Sequence, residues 1–242
     1  MTRSVLILQH METDSPGRFS ALFRAAGWKA TTVKPFAGES IPSLDEHDLM
    51  FVLGGAMDVW EEDQHPWLKA EKQAIREWAG EKAKPYIGIC LGHQLLADAL
   101  GGEVGMSRAA EVGAFPIALD EEASTHAFFS SIAPSHTVLE WHHAEVKRLP
   151  EGARALASSE ITPIQAMAVD DHALGVQFHF EWTLDGIQRW AEMPGWLGPL
   201  EKELGQGAHP RFMGEATRHM PGIAHLAETL FGNFSRKTGL AK

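Results

Sequence analysis

The stretch Lys84–Gly101, KPYIGICLGHQLLADALG, holds the single cysteine of the chain. Pro85, Tyr86, Ile87 and Ile89 form an apolar run of strand length that Cys90 closes. From His93 to Leu100 the residues favour helix, with Gly101 placed to end it. Cys90 therefore falls on the turn between a strand and a helix. Gly88 and Gly92 flank it two residues to either side, where a sharp turn leaves no room for Cβ atoms. This is a nucleophile elbow with sulfur in place of a hydroxyl. The side chain stands clear of the backbone, and the helix N-terminus behind it favours a thiolate through its dipole and free N–H groups. A lone cysteine in a soluble chain is more often a buried structural residue. The flanking glycines and the polar Gly92-His93-Gln94 point here to chemistry.

Upstream, Ser4–Leu8 (SVLIL) is continuously apolar and reads as a buried first strand of a parallel sheet. Pro16–Ala26 reads as a helix ended by Gly27, and Lys29–Val33 as a second strand, which opens a βαβ unit. Leu49–Leu53 (LMFVL) is a third buried strand and runs straight into Gly54-Gly55. Two glycines just past a strand's carboxyl end either present backbone N–H groups to a ligand, at the edge where open α/β sheets bind, or make an ordinary tight turn. From Pro66 to Ala79, Trp67, Leu68, Ala74, Ile75 and Trp78 recur at helical spacing, with Pro66 suited to the first turn and Gly80 to the end.

Downstream of Gly101-Gly102 the texture changes to shorter β-forming segments: Val112–Leu119, Val138–Trp141, Arg154–Ala157 and Gln165–Val169. These predict a mixed or antiparallel part of the sheet. Ala173–Phe178 is a strand delivering His179, Phe180 and Glu181. Residues two apart on a strand face one side, so His179 and Glu181 point together while Phe180 faces away. A carboxylate beside an imidazole fixes its tautomer and supports its protonated form, although a His-x-Glu pair alone is more often a solvated strand end. The remainder turns helical over Thr183–Ala191 and Arg211–Phe234, separated by MPGWLGP and Gly205–Pro210. No repeat, low-complexity tract or linker sets off an independent second domain. The expected division is a domain over 1–182 with a helical extension, 183–242, packed on it.

At 242 residues the chain has room for one α/β domain with an appendage. One cysteine excludes an intrachain disulfide and suits a reducing compartment. The opening MTRSVLILQHMETD has too short an apolar run for a signal peptide, and no stretch approaches the about 20 apolar residues that cross a membrane. A cytoplasmic location with no membrane partner is expected. The formal net charge of −11 and the lack of a basic stripe argue against nucleic acid. The acidity otherwise serves solubility. Thirteen histidines, among them His142 and His143, raise the question of metal, but their spacings match no standard site. No metal and no other cofactor is expected.

Taken together, GGAMD at Gly54, GICLGHQ at Gly88 and QFHFE at Gln177 resemble the class I glutamine amidotransferase family, in the right order and spacing. The likeness is to free-standing members similar to the amidotransferase domain of GMP synthase, and it covers roughly Val5 to Glu181. It implies an α/β fold with a flavodoxin-like open, mostly parallel sheet, helices on both faces, an antiparallel extension and C-terminal helices. It implies Cys90 as nucleophile, His179 as general base and then acid, and Glu181 as the orienter of His179. It implies an oxyanion hole from the backbone N–H groups of Gly55 and Leu91, with Gln94 lining the glutamine pocket and Trp141 and His142 holding the amino-acid end. Such a set releases ammonia from glutamine through a γ-glutamyl thioester. Two positions depart from the family's pattern. Phe180 stands where Pro is usual, which is expected to alter packing and not chemistry. Ala144 stands where many relatives carry an acid, which bears on glutamine selectivity.

The same residues serve two readings: ammonia supplied to a separate synthetase, or hydrolysis of γ-glutamyl compounds with nothing transferred. A redox or chaperone-like protein of flavodoxin-like build also carries an elbow cysteine but does not need the distal His-x-Glu. An inactive regulatory relative is disfavoured by the intact Cys90, His179 and Glu181. Because the elbow and the His-Glu pair are intact on a chain with no acceptor domain, and free hydrolysis wastes ammonia, the isolated protein is expected to hydrolyse glutamine poorly while Cys90 is readily alkylated by a glutamine-like electrophile. Full activity is then tied to a partner, and the glycines at 54 and 55 leave their loop free to sit in either orientation.

Overall fold

The computed structural model describes residues 2–192 and 195–241. Its centre is a nine-stranded sheet in the order β2-β1-β3-β4-β9-β8-β7-β5-β6. Strands β1 (Ser4–Leu8), β2 (Lys29–Val33), β3 (Leu49–Val52), β4 (Tyr86–Ile89) and β9 (Ala173–Val176) pair in parallel. The sheet then turns antiparallel through β8 (Ala166–Val169), β7 (Ala153–Ser158), β5 (Glu103–Leu119) and β6 (Ser135–Arg148). This is the α/β architecture expected, with its antiparallel extension.

Each central strand is apolar throughout because both faces are covered. Val5 and Ile7 of β1 enter one apolar cluster, with Phe19 and Phe23 of α1 (Phe19–Ala25), while Leu6 and Leu8 enter the other. That second cluster is built on α2 (Trp67–Ile75) and α3 (Leu91–Ala99). The first face is further covered by α7 (Ala208–Lys237), which buries Phe212, Met220, Ile223, Leu230 and Phe234 along one stripe. Asn233 ties this helix down by donating to the carbonyls of Phe128 and Ser130 at 3.0 and 2.7 Å.

Several elements differ from the sequence expectation. Helix α1 starts at Phe19 rather than Pro16, because Gly17 takes a positive φ of 52° and its Cβ position would fall 1.9 Å from the Glu181 carbonyl oxygen. Helix α2 ends at Ile75 and continues as a π-helix over Arg76–Glu81. Strands β5 and β6 are far longer than their apolar segments, because the largely unburied Glu103–Met106 is held by pairing with Ala144–Arg148 of β6 rather than by burial, with an irregularity between Met106 and Glu111. The short α4 (Glu121–Thr125) was not anticipated. Helix α5 (Leu184–Ala191) begins one residue late, since Thr183 caps it by accepting from the Gly186 N–H at 3.1 Å. Within the expected break MPGWLGP, Met193 and Pro194 lie outside the described residues, and Leu197 starts α6 (Leu197–Leu204), whose first turn accommodates Pro199. No helix among the described residues is long and apolar enough to cross a membrane.

The carboxyl ends of β1, β3, β4 and β9 lie at one edge of the parallel half, and Gln9-His10, Gly54-Gly55, Cys90 and Gln177–Glu181 follow them directly. That edge is where the ladder ends and side chains of different strands converge.

Candidate active site

Cys90 sits between β4 and α3 at φ 50° and ψ −105°, a conformation L-residues rarely adopt and which costs on the order of 1–3 kcal/mol. It persists because the surroundings fix it from all sides. The Cys90 N–H donates to the Val176 carbonyl of β9 at 2.8 Å, and its own carbonyl accepts from the Gln94 N–H at 3.1 Å. A Cβ on Gly88 would lie 2.4 Å from the Gly92 oxygen, and one on Gly92 would lie 2.3 Å from the Val52 oxygen. Tyr86 Oη donates to that same Gly92 carbonyl at 2.7 Å. The helix starts at Leu91 and not His93, so Cys90 is its N-cap and the Leu91 N–H belongs to the unpaired first turn. The sulfur is nearly buried and lies 3.9 Å from the Trp141 carbonyl.

Beyond β9 the chain leaves the ladder. The Gln177 N–H donates to Gln165 at 2.8 Å and the His179 N–H donates across to Leu139 of β6 at 2.8 Å. His179 and Glu181 thus come together through an irregular turn, not through the pleat of a longer strand. His179 Nδ1 donates to Glu181 Oε1 at 2.7 Å, with both side chains buried. Burial alone would lower the imidazole's value, but the Glu181 charge and the hydrogen bond and charge of Cys90 outweigh it, and His179 ends well above its ordinary value. The Trp182 ring stacks on the imidazole at 3.7 Å and 12°, which favours its cationic form. Phe180 points the other way, into the core against Phe19 at 4.9 Å.

Gly54 faces the same centre. A Cβ there would lie 3.1 Å from His179 Cε1, 3.6 Å from Cys90 Cβ and 3.7 Å from Asp14 Oδ2. Asp14, pushed up to about 6 chiefly by burial and held down in part by the His179 charge, brings a further carboxyl to the site. The Gly54 carbonyl accepts from His10 Nδ1 at 2.7 Å, and His10 Nε2 meets Glu71 Oε1 at 2.8 Å. The Gly55 and Leu91 N–H groups have no hydrogen-bond partner among the described residues, and a Cβ on Gly55 would touch Leu91 Cδ2 at 2.7 Å, so the two residues are neighbours.

Of the other residues singled out, Trp141 borders Cys90 through its carbonyl and packs its ring on Trp196 at 5.7 Å. Gln94 is buried and donates from Nε2 to the Ala144 carbonyl at 3.0 Å and to Gln177 Oε1 at 3.1 Å. His142 turns inward: Nδ1 lies 3.0 Å from the Ala144 carbonyl and Nε2 lies 3.1 Å from Glu111 Oε2. Beside it Glu140 is pushed well above the usual carboxylate range by burial and by Glu111. His93, for all its polarity, packs on Gly175, and burial drives it down to about 3, so it is neutral. Asp14, His10, Glu71 and Trp182 were not anticipated. One signal for His10 was present, since Gln9-His10 stands just past the end of β1 as Gly54 stands past β3. Among the described residues no group of three or more His, Cys, Asp or Glu side chains is placed to hold a metal ion.

Residues 21–187 match the glutamine amidotransferase class-I family, and the chain belongs to that family. Its general chemistry is release or transfer of the glutamine side-chain amide. The chain is 30% identical over 208 residues to a glutamine amidotransferase-like protein of Salmonella typhimurium, covering 84% of each. It is 35% identical over 157 residues to a glutamine-hydrolysing GMP synthase subunit from Sulfolobus acidocaldarius, covering 64% of this chain and 77% of that one. A crystal structure of a glutamine amidotransferase from Thermotoga maritima superposes with a TM-score of 0.87 at 29% identity, covering 98% of this chain and 99% of the other.

Proposed function

We propose that the chain hydrolyses the side-chain amide of glutamine with Cys90 as nucleophile, His179 as proton carrier and Glu181 as its orienter. The observation that carries this is the placement of His179, 2.7 Å from Glu181 Oε1 on one side and facing Cys90 across Gly54 on the other, where His179 Cε1 and Cys90 Cβ lie 3.1 and 3.6 Å from the position a Gly54 Cβ would take. The raised value of His179 favours an imidazolium, ready to give up a proton, beside Cys90. The sulfur attacks the amide carbon, and the electron pair of the carbonyl moves onto oxygen, where the Gly55 and Leu91 N–H groups receive it. His179 then gives its proton to the nitrogen, the C–N bond breaks, and ammonia leaves a γ-glutamyl thioester. Neutral His179 next takes a proton from water, which attacks the thioester. The C–S bond breaks, glutamate leaves, and the thiolate–imidazolium pair is restored. Glu181 accepts the Nδ1 hydrogen throughout and holds the tautomer.

Gln94 and Trp141 border the substrate side of this reading, and His142 supports it from behind through the Ala144 carbonyl. By analogy with the relatives that are GMP synthase subunits, the ammonia passes to a separate synthetase. A γ-glutamyl amine would use the same groups with an amine as leaving group, and nothing in the acylation step depends on that difference. The purified protein is incubated with glutamine and with γ-glutamyl peptides while ammonia and glutamate are measured, with Cys90→Ser as control. Equimolar ammonia and glutamate, lost in Cys90→Ser, support the reading. Retained release in Cys90→Ser sinks it.

A further inference from the structure

The oxyanion donor assigned to Gly55 rests on a loop that carries two glycines, so something must select its orientation. His10 is that element by geometry. It is 1% exposed, its ring stacks on Trp67 at 5.4 Å and 9°, and both its nitrogens are engaged, Nδ1 with the Gly54 carbonyl at 2.7 Å and Nε2 with Glu71 at 2.8 Å. Glu71 is itself fully buried on α2. A carbonyl and a carboxylate are both acceptors, so a ring lying between them donates from both nitrogens and cannot turn without losing two bonds. No cis peptide bond occurs among the described residues, and in a trans peptide the N–H points opposite to the preceding C=O. With the Gly54 oxygen held on His10, the Gly55 N–H is turned away from His10, and Gly54 itself borders His179 and Cys90, whose atoms lie 3.1 and 3.6 Å from where its Cβ would stand. No other described side chain touches this carbonyl.

We infer that His10, backed by Glu71, is a positioning residue that locks the Gly54–Gly55 peptide with its N–H aimed at the oxyanion of the reaction. This role rests on the reading of Cys90 as the nucleophile of amide hydrolysis. It also adds polarisation, because a hydrogen bond received at the peptide oxygen strengthens the same peptide as a donor.

The test separates oxyanion formation from thiolate reactivity. Hydrolysis of γ-glutamyl p-nitroanilide needs the oxyanion donors, whereas alkylation of Cys90 by iodoacetamide displaces iodide at a saturated carbon and forms no oxyanion. His10→Phe/Glu71→Leu keeps the volume and leaves no buried carboxylate unpaired. Its kcat is expected to fall at least severalfold and at most about 100-fold with KM little changed, while its alkylation rate stays within about twofold of wild type. His10→Asn puts an amide nitrogen where Nδ1 stands and is expected to keep kcat within about twofold of wild type. Should the double variant not fold, Glu71→Gln is read in the same two assays, with about a two- to threefold loss of kcat and unchanged alkylation expected. Wild-type kcat in the double variant or in Glu71→Gln overturns the role, as does alkylation falling in step with hydrolysis. A wild type that is alkylated yet cleaves neither p-nitroanilide nor glutamine overturns the reading of Cys90 instead, and this role with it.

Discussion

His179 Nδ1 lies 2.7 Å from Glu181 Oε1, although neither residue belongs to a strand and only Phe180 separates them. The contact is made by a chain that has left β9 and is pinned by the His179 N–H to Leu139 of β6. Orientation of the imidazole therefore depends on two elements that are distant in sequence, and Glu181 contributes both the hydrogen bond and the largest upward pull on His179.

The two residues are expected to separate in kinetics. His179→Ala removes the proposed proton carrier and is expected to cost on the order of 10⁴-fold or more in kcat, whereas Glu181→Gln costs one to two orders less, since it leaves the ring but not its tautomer. The sign on the ring follows from the cause of its shift. Loss of the Glu181 charge lets the His179 value fall, less imidazolium is present at pH 7, and alkylation of Cys90 by iodoacetamide at that pH slows. Steady-state kinetics and timed alkylation check both, and equal kcat in the two variants would refute the division of roles.

Asp14 gives a prediction in stability rather than rate. Its carboxyl is raised from 3.8 to about 6, mainly by burial. Between those values the folded chain holds a proton that the unfolded chain has released, so this group's contribution falls as pH rises through the window and stays lower above about 6. Asp14→Asn is expected to be more stable than wild type at pH 7.5 by on the order of 1–2 kcal/mol, and nearly equal to it at pH 4. Urea midpoints at the two pH values decide it. The same difference at both would show that ionisation of Asp14 is not the cause.

Which parts of this arrangement were legible follows from how each residue is held. The central strands β1, β3 and β4 read to within about a residue, because a strand covered on both faces must be apolar along its whole length. The first half of β5, Glu103–Ala110, did not read, since its residues are mostly exposed or half-buried and show no apolar run, and Glu103–Met106 is defined by its pairing with β6 and not by its composition. Cys90 was visible through Gly88 and Gly92, whose absent side chains are demanded by backbone oxygens 2.4 and 2.3 Å away. His10 and Glu71 were not, because they are separated by 61 positions and only the packing of α2 over the end of β1 joins them. Gln94 and His142 were placed by likeness on the substrate side, and the polar bonds of both run inward to the Ala144 carbonyl.

The glycines around the elbow are expected to divide by what surrounds them. Gly88→Ala and Gly92→Ala drive a methyl group into backbone carbonyls that belong to helix α3 and strand β3, and neither can move without breaking the sheet or the helix. Each is expected to destabilise by at least about 3 kcal/mol or to fail to accumulate as folded protein. Gly54→Ala meets side chains at 3.1 Å and beyond, so it is expected to fold, with its methyl group wedged between His179 and Cys90 and its activity reduced. Circular dichroism melts beside turnover separate the cases. A Gly92→Ala protein as stable as wild type would show that the elbow can relax in a way its packing does not suggest.

The last expectation reverses one drawn from sequence alone. The intact elbow on a chain with no acceptor domain leads to the expectation that the isolated protein needs a partner to complete its oxyanion hole, and two adjacent glycines, which allow a peptide to flip, make that feasible. In the fold the choice is removed, because the Gly54 carbonyl is held at 2.7 Å by a ring whose far nitrogen is anchored on buried Glu71. A flip would break a hydrogen bond from a buried, doubly bonded imidazole, with a cost of at least about 1.5–3 kcal/mol for the charged donor, enough to hold more than nine loops in ten as seen. The isolated protein is therefore expected to hydrolyse glutamine, or a γ-glutamyl peptide, without any synthetase present, at a rate within the ordinary enzymatic range of about 1 s⁻¹ or above. A synthetase would then receive ammonia without having to assemble the site. Ammonia release is followed with glutamine and with γ-glutamyl dipeptides across a range of concentrations, and Cys90 labelling by a glutamine-like chloroketone counts competent sites. Full labelling with turnover appearing only when a synthetase is added would mean that the loop is not held by His10 in solution. Fast turnover of the dipeptides with glutamine left intact would instead assign the leaving group to an amine, with the held loop unchanged.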